Sequence, residues 1–235
     1  MCPGLVCFCG DKTRTVIQSI GDIGEARERL NHIRGNAHSF GIEFYLGTDL
    51  STALAMLTLT DSPDGGVLFL FRQSREFARL VLGNPPFRAA DLFRTCVLTM
   101  DPFHGLWWED HNLTLINLGG QWSAEIVPAA VRFGLPERYP EEAIQNWSPG
   151  AARAELFKYP DCVWWFNYWG SKIVDEIGRD LVLGMPAPHL QVLANDGVMF
   201  WLCDEFFSFR RPEHLRVQRQ CFEYVGLREF LLTKS

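Results

Sequence analysis

The sequence predicts an α+β fold, with antiparallel sheets, helices packed on them and two sub-domains of similar size. Three observations lead there. Short runs rich in Thr, Val, Ile and Phe are separated by Gly, Pro, Asn and Asp, and segments of helical period lie among them at irregular intervals. The chain also lacks the regular strand–helix alternation of a doubly wound parallel sheet. At 235 residues, 47% hydrophobic and 21% charged, it can build a core without disulfide staples.

The elements follow in chain order. Asp22-Ile23-Gly24-Glu25 forms a capping box; Ala26, Leu30 and Ile33 then recur at helical spacing and Gly35 supplies a stop, so a helix is expected over residues 23–34. Residues 40–47, 52–60 and 67–72 read as strands. The last two are joined through Asp61-Ser62-Pro63-Asp64-Gly65-Gly66, where Pro presets φ and Gly accepts positive φ. A further strand is expected at 77–82, closed by Gly83-Asn84-Pro85-Pro86. Ala90, Leu92, Phe93, Cys96 and Val97 suit a helix within 87–100.

Helices are also expected at 124–133 and, behind Pro140, at 141–147. The last third reads as an aromatic strand at 162–169 and a short helix from Ser171 to Gly178. A hairpin of 189–194 with 198–202 turns on Asn195-Asp196-Gly197. Pro212 and Glu213 then start a helix to about Val225, with Leu215, Cys221 or Phe222, and Val225 on its inner face. The expected sub-domains are 1–100 and 101–235, with 83–87 an equally good boundary.

Charge and composition narrow the function. With 28 Asp plus Glu against 22 Lys plus Arg, the net charge of −6 opposes direct nucleic-acid binding. The longest apolar runs, 67–71 and 163–166, fall far short of the roughly 20 residues that cross a bilayer, so no membrane association is expected. The apolar start Met1–Cys9 has no basic leader and Asp11 follows at once, which reads as cytoplasmic. Cys2, Cys7, Cys9, Cys96, Cys162, Cys203 and Cys221 are odd in number and irregularly spaced, as reduced thiols are.

Catalytic signatures are sparse. Gly65-Gly66 and Gly119-Gly120 belong to no phosphate loop or dinucleotide turn, and no serine sits in a nucleophile elbow. Cys7-Phe8-Cys9 lacks the spacing and second ligand pair of structural zinc, so a frayed terminus or an edge strand is expected there and no metal or cofactor. Asp101-Pro102-Phe103-His104 and Glu109-Asp110-His111 are the one stretch where acid–base chemistry, as in a small hydrolase, has a motive. Their irregular spacing around Trp107 and Trp108 suits a solvated surface loop better. Cys162 with His189 is a conceivable thiol–imidazole pair, although a free Cys is more often a small buried hydrophobe. The tryptophan-rich stretch Trp164–Trp169 lacks any Lys or Arg between Lys158 and Lys172, so it is read as core or protein interface and not as a base-stacking platform.

Three segments of the last third carry a family likeness. They are Trp164-Trp165-Phe166-Asn167-Tyr168-Trp169-Gly170, Asn195-Asp196-Gly197-Val198-Met199-Phe200-Trp201-Leu202-Cys203-Asp204-Glu205 and Arg211-Pro212-Glu213-His214-Leu215. Together they resemble the immunity protein 52 group of bacterial polymorphic-toxin immunity proteins. That pattern has an aromatic-Asn-aromatic strand, a Gly-apolar-apolar hairpin, a Thr/Cys-Asp/Glu step and a Pro-Glu-His helix opening. The likeness covers about residues 160–230; Cys203 stands where the pattern commonly has Thr, and Phe206-Phe207 where a Pro-apolar pair is usual.

The resemblance implies a non-enzymatic cytoplasmic inhibitor whose partner is a cognate effector toxin. That toxin would be a nuclease of the Tox-REase class delivered by a type VI secretion system. The inhibitor would act by covering the toxin's active site or blocking its assembly. An acidic protein meeting a basic nuclease cleft associates fast and in a salt-sensitive way. The expected contact residues are Asp101, Trp107, Trp108, Glu109 and Asp110, from a segment 95–131 without Lys or Arg, with Asp204 and Glu205 as a second edge. The competing readings are the hydrolase just described and an adaptor module of the secretion system.

Overall fold

The computed structural model describes residues 4–9, 14–17, 39–45, 53–61, 67–73, 78–79, 82–83, 85–86, 88–119, 122–145 and 159–234, with backbone pairing alone up to residue 73. The expected helix at 23–34, the turn at 62–66 and the Asp110 side chain lie outside the described residues. Contacts group the chain into two compact units, Met1–Asn84 and Pro85–Ser235.

The first unit is a five-stranded antiparallel sheet in the order β2-β1-β3-β4-β5. Its strands are β1 (Gly4–Cys9), β2 (Arg14–Ile17), β3 (Ser39–Tyr45), β4 (Ala53–Asp61) and β5 (Val67–Gln73). Asp61 pairs with Val67, so β4 and β5 are antiparallel neighbours, as expected of the two runs. The Cys7–Cys9 segment is neither frayed nor an edge: Cys7 pairs with Thr15 on one side and Ile42 on the other. The strand expected at 77–82 is corrected to helix at Ala78, Arg79 and Leu82, with Gly83 N–H bonded to Arg79 O. Ala78 and Leu82 are four residues apart and both buried, the spacing of one helix face.

The second unit is a four-stranded antiparallel sheet in the order β6-β7-β9-β8. Here β6 is His104–Trp107, β7 is Phe166–Trp169, β8 is His189–Val192 and β9 is Val198–Trp201. Every residue of β7 and β9 is buried, so the middle of this sheet is covered on both faces. Helix α1 (Ala89–Met100) lays Ala89, Phe93 and Val97 inward at a four-residue interval, and Phe93 meets Phe166 with ring centroids 5.5 Å apart. Phe166 also stacks on Trp201 at 5.7 Å, and Trp169 meets Phe200 edge-on at 4.9 Å. Such pairs each add about 0.5–1.5 kcal/mol beyond the area they bury.

Three expectations here are corrected. Residues around Glu109 form no surface loop but the start of α2 (Asp110–Leu118), capped by the Glu109 carboxylate accepting the Asn112 N–H at 2.8 Å. The helix expected at 124–133 is shorter, α3 (Val127–Arg132): residues 124–126 form a turn on the Ser123 carbonyl, Pro128 sits in the first helical turn, and Gly134 at φ +83° turns the chain out at the far end. Residues 141–145 make a turn and not a helix, since the Tyr139 hydroxyl takes the Ile144 carbonyl that a following turn would have used; Trp147 lies outside the described residues.

The aromatic strand begins only at Phe166. The Asn167 amide accepts the Trp164 N–H and donates to the Trp164 carbonyl, both at 2.7 Å, using groups that a strand would give to its neighbours. Beyond β7, α4 (Ser171–Ile177) ends at Gly178 as expected, and α5 (Arg179–Leu183) follows directly. The hairpin turns where expected. Asp196 takes φ +60°, and a Cβ on Gly197 would lie 2.5 Å from the Tyr168 ring. Helix α6 (Pro212–Tyr224) opens at Pro212 and buries Leu215, Cys221 and Phe222; Gly226 at φ +57° separates it from α7 (Leu227–Leu232).

Candidate functional site

The two tryptophans proposed as contact residues sit at the rim of the aromatic cluster. Trp107, half-buried in β6, lies 5.2 Å from Trp165 and 5.8 Å from Phe166. Trp108 lies 6.3 Å from Trp164. Both therefore serve packing, whatever else their exposed edges touch.

Asp101 is exposed, at φ +44°, and its N–H closes α1 on the Val97 carbonyl. Its Oδ1 accepts Asn195 Nδ2 at 2.8 Å, and the same nitrogen donates to the Tyr168 hydroxyl at 2.7 Å. Asp101 thus ties the end of α1 to the β8–β9 turn. Glu109 caps α2 with one oxygen and lies 2.8 Å from His111 Nδ1 with the other. His111 is itself stacked on Phe209, ring centroids 5.5 Å apart. A carboxylate and an imidazole do meet here, but the carboxylate is committed to the helix end. No hydrogen bond or ion pair among the described residues joins Asp101 to Glu109 or His111.

Asp204 and Glu205 follow β9 on the segment that leads into α6. Trp165 Nε1 holds the Cys203 carbonyl at 3.1 Å, which sets where the two acids emerge. Asp204 Oδ1 accepts Trp201 Nε1 at 3.3 Å and lies 2.9 Å from His189 Nε2. His189 is paired across the hairpin with Trp201 and stacks on its ring at 4.5 Å. Glu205 Oε1 is shared by Arg211 and, at 3.3 Å, His214 Nε2. Partial burial alone would raise the Glu205 carboxyl; the Arg211 and His214 bonds prevail and hold it below the usual range. Both acids are exposed, at 77% and 51%.

The thiols have no such setting. Cys162 is fully buried and its Sγ faces the Val163 carbonyl, while the contacts of His189 are Trp201 and Asp204, so the Cys162–His189 pair does not form. Burial pushes the Cys203 thiol up to about 12, with smaller contributions from the neighbouring acids. Among the described residues, no group of three or more His, Cys, Asp or Glu is placed to hold a metal ion, and no helix is long and apolar enough to cross a membrane.

Sequence reasoning named Asp204 and Glu205 but not the neighbours that hold them, His189, Arg211 and His214. Nothing local marks His189 as their neighbour; only the register of β8 on β9 brings it there. It also missed a groove of about 400 Å³ lined by Gly134, Leu135, Pro136, Phe209, Arg210 and Leu215 among others. The residues that carry the family likeness prove architectural: Asn167 clamps Trp164, Gly197 admits the Tyr168 ring, and His214 is buried behind the Glu205 segment. Compared with protein-family models, curated proteins and solved structures, the chain matches none.

Proposed function

We propose that this protein is a non-catalytic immunity protein that binds and neutralises a nuclease toxin of a type VI secretion system. The carboxylate edge Asp204–Glu205 would face the toxin's basic cleft. The observation that carries this reading is how the two acids are held. Asp204 Oδ1 is held by Trp201 and His189 and Glu205 Oε1 by Arg211 and His214, while both acids stay exposed. Two neighbouring carboxylates are thus held in place and still exposed to an incoming Lys or Arg, at little further cost in side-chain ordering. The residues Pro85–Ser235 carry 19 Asp and Glu against 14 Lys and Arg, a net charge of −5, which favours encounter with a basic partner. The likeness of residues 160–230 to the immunity protein 52 group points the same way.

The test is titration of the purified chain with the nuclease toxin encoded beside it, following nuclease inhibition and association rate at several salt concentrations. Charge reversal at Asp204 and Glu205 should slow association about 10–100-fold at low salt, with much less effect at high salt. Absence of a complex at micromolar concentrations, or reversal variants that bind as fast as the parent, would refute the assignment.

A further inference from the structure

At the opening of α6, His214 makes a second bond, to the Ser208 backbone, that the toxin-binding reading does not use. The His214 ring, 4% exposed, is turned back under the chain that leads into the helix. Its Nδ1 accepts the Ser208 N–H at 3.0 Å, and its Nε2 lies 3.3 Å from Glu205 Oε1. A backbone N–H can only donate and a carboxylate can only accept, so the ring is neutral with its hydrogen on Nε2. Phe207 packs against the imidazole at 5.3 Å. The segment is anchored at one end by Trp165 on the Cys203 carbonyl and at the other by the Arg211 N–H on the Ser208 carbonyl.

We infer that His214 is an acid-labile clasp: a proton gained at Nδ1 turns the acceptor of the Ser208 N–H into a donor and releases the Phe207–Ser208 backbone from α6. Two donors then face each other where one hydrogen bond stood. The groups around the ring set when this happens. Burial disfavours the imidazolium most and holds the ring below the ordinary histidine range; Glu205 and Glu213 work against that, and Arg211 works with it. The clasp is therefore closed at neutral pH and opens on the acid side of an exposed histidine. Asp204 and Glu205 ride on this segment, so acid alters how they are presented whether or not they bind a toxin.

The test uses the full chain labelled with ¹⁵N, from about pH 8 to about pH 5, the range over which imidazole titrates. The expected result is an Nε2–H tautomer for His214 at neutral pH. The protection factor of the Ser208 amide should then fall about tenfold across the His214 titration, the loss of one hydrogen bond, while Met199 and Phe200 of β9 keep theirs. In His214→Asn the Oδ1 stands where Nδ1 stood and accepts at every pH, so Ser208 protection should become independent of pH. An Nδ1–H tautomer, Ser208 protection unchanged through the titration, or an acid-sensitive Ser208 in His214→Asn would each overturn the inference. Should that variant fail to fold, the tautomer and the exchange of the unmodified chain decide the matter.

Discussion

Replacing Asn167 by Ala tests why the aromatic core of the second unit holds its shape. Asn167 and Trp164 are each 1% exposed, and the amide makes two bonds of 2.7 Å to the Trp164 backbone, one accepted and one donated. Alanine leaves that N–H and C=O buried without partners, each at a cost of about 1–3 kcal/mol. Relief from burying the amide itself offsets part of this, so a net loss of about 3–5 kcal/mol is expected, a large share of the 5–15 kcal/mol typical of a folded domain. Asn167→Asp is a sharper probe. It keeps an acceptor for the Trp164 N–H but sets a second acceptor against the Trp164 carbonyl and buries a charge. Its stability should therefore recover on acidification, when the protonated carboxyl can donate. The assay is urea unfolding followed by tryptophan fluorescence, with the m-value checked for constancy. A loss below about 1 kcal/mol for Asn167→Ala at unchanged m would refute the clamp.

Other positions give further tests. Gly197→Ala places a Cβ 2.5 Å from a Tyr168 ring that is itself 1% exposed and bonded to Asn195, so a loss of about 1–3 kcal/mol is expected in the same unfolding assay. In the native protein Cys162, Cys203 and Cys221 should resist iodoacetamide. Burial pushes Cys203 and Cys221 up to about 12 and Cys162 well above its usual value. A thiol with that pKa is about one part in ten thousand thiolate at about pH 8; rapid labelling seen by mass spectrometry would contradict the burial. Stability should also fall with acid in two separate windows. His214 titrates lower in the folded chain than unfolded, so below about pH 6.5 the unfolded state takes up a proton that the folded state refuses, and stability drops until the folded pKa is reached. Glu205, also lowered, adds its loss only below about pH 4.5. Unfolding free energies measured across this range should show the upper window vanish in His214→Asn and the lower one remain.

What the sequence determined by itself is the part governed by local backbone chemistry. Asn195-Asp196-Gly197 is a turn because the chain there needs a positive φ and room for a ring; Pro212 opens a helix because it has no N–H to lose; Gly178 stops one. The same reasoning placed β3, β4 and β5 to within two residues and the class as α+β. It failed where short signals are ambiguous. Residues 77–82 suit either period, α2 is capped by Glu109, which is no strong N-cap type, and the strand pattern of 162–165 is overridden by one amide three residues on.

Only the tertiary structure decided which rings are core. Trp164, Phe166, Trp169 and Phe200 are almost wholly buried while Trp107 and Trp108 lie at the rim, and composition treats them alike. It also decided which side chains stand beside Asp204 and Glu205, because His189 arrives from another strand and Arg211 and His214 from the mouth of a helix. Periodicity shows which face a side chain takes, but what covers that face depends on pairings between distant segments, and no local pattern carries them.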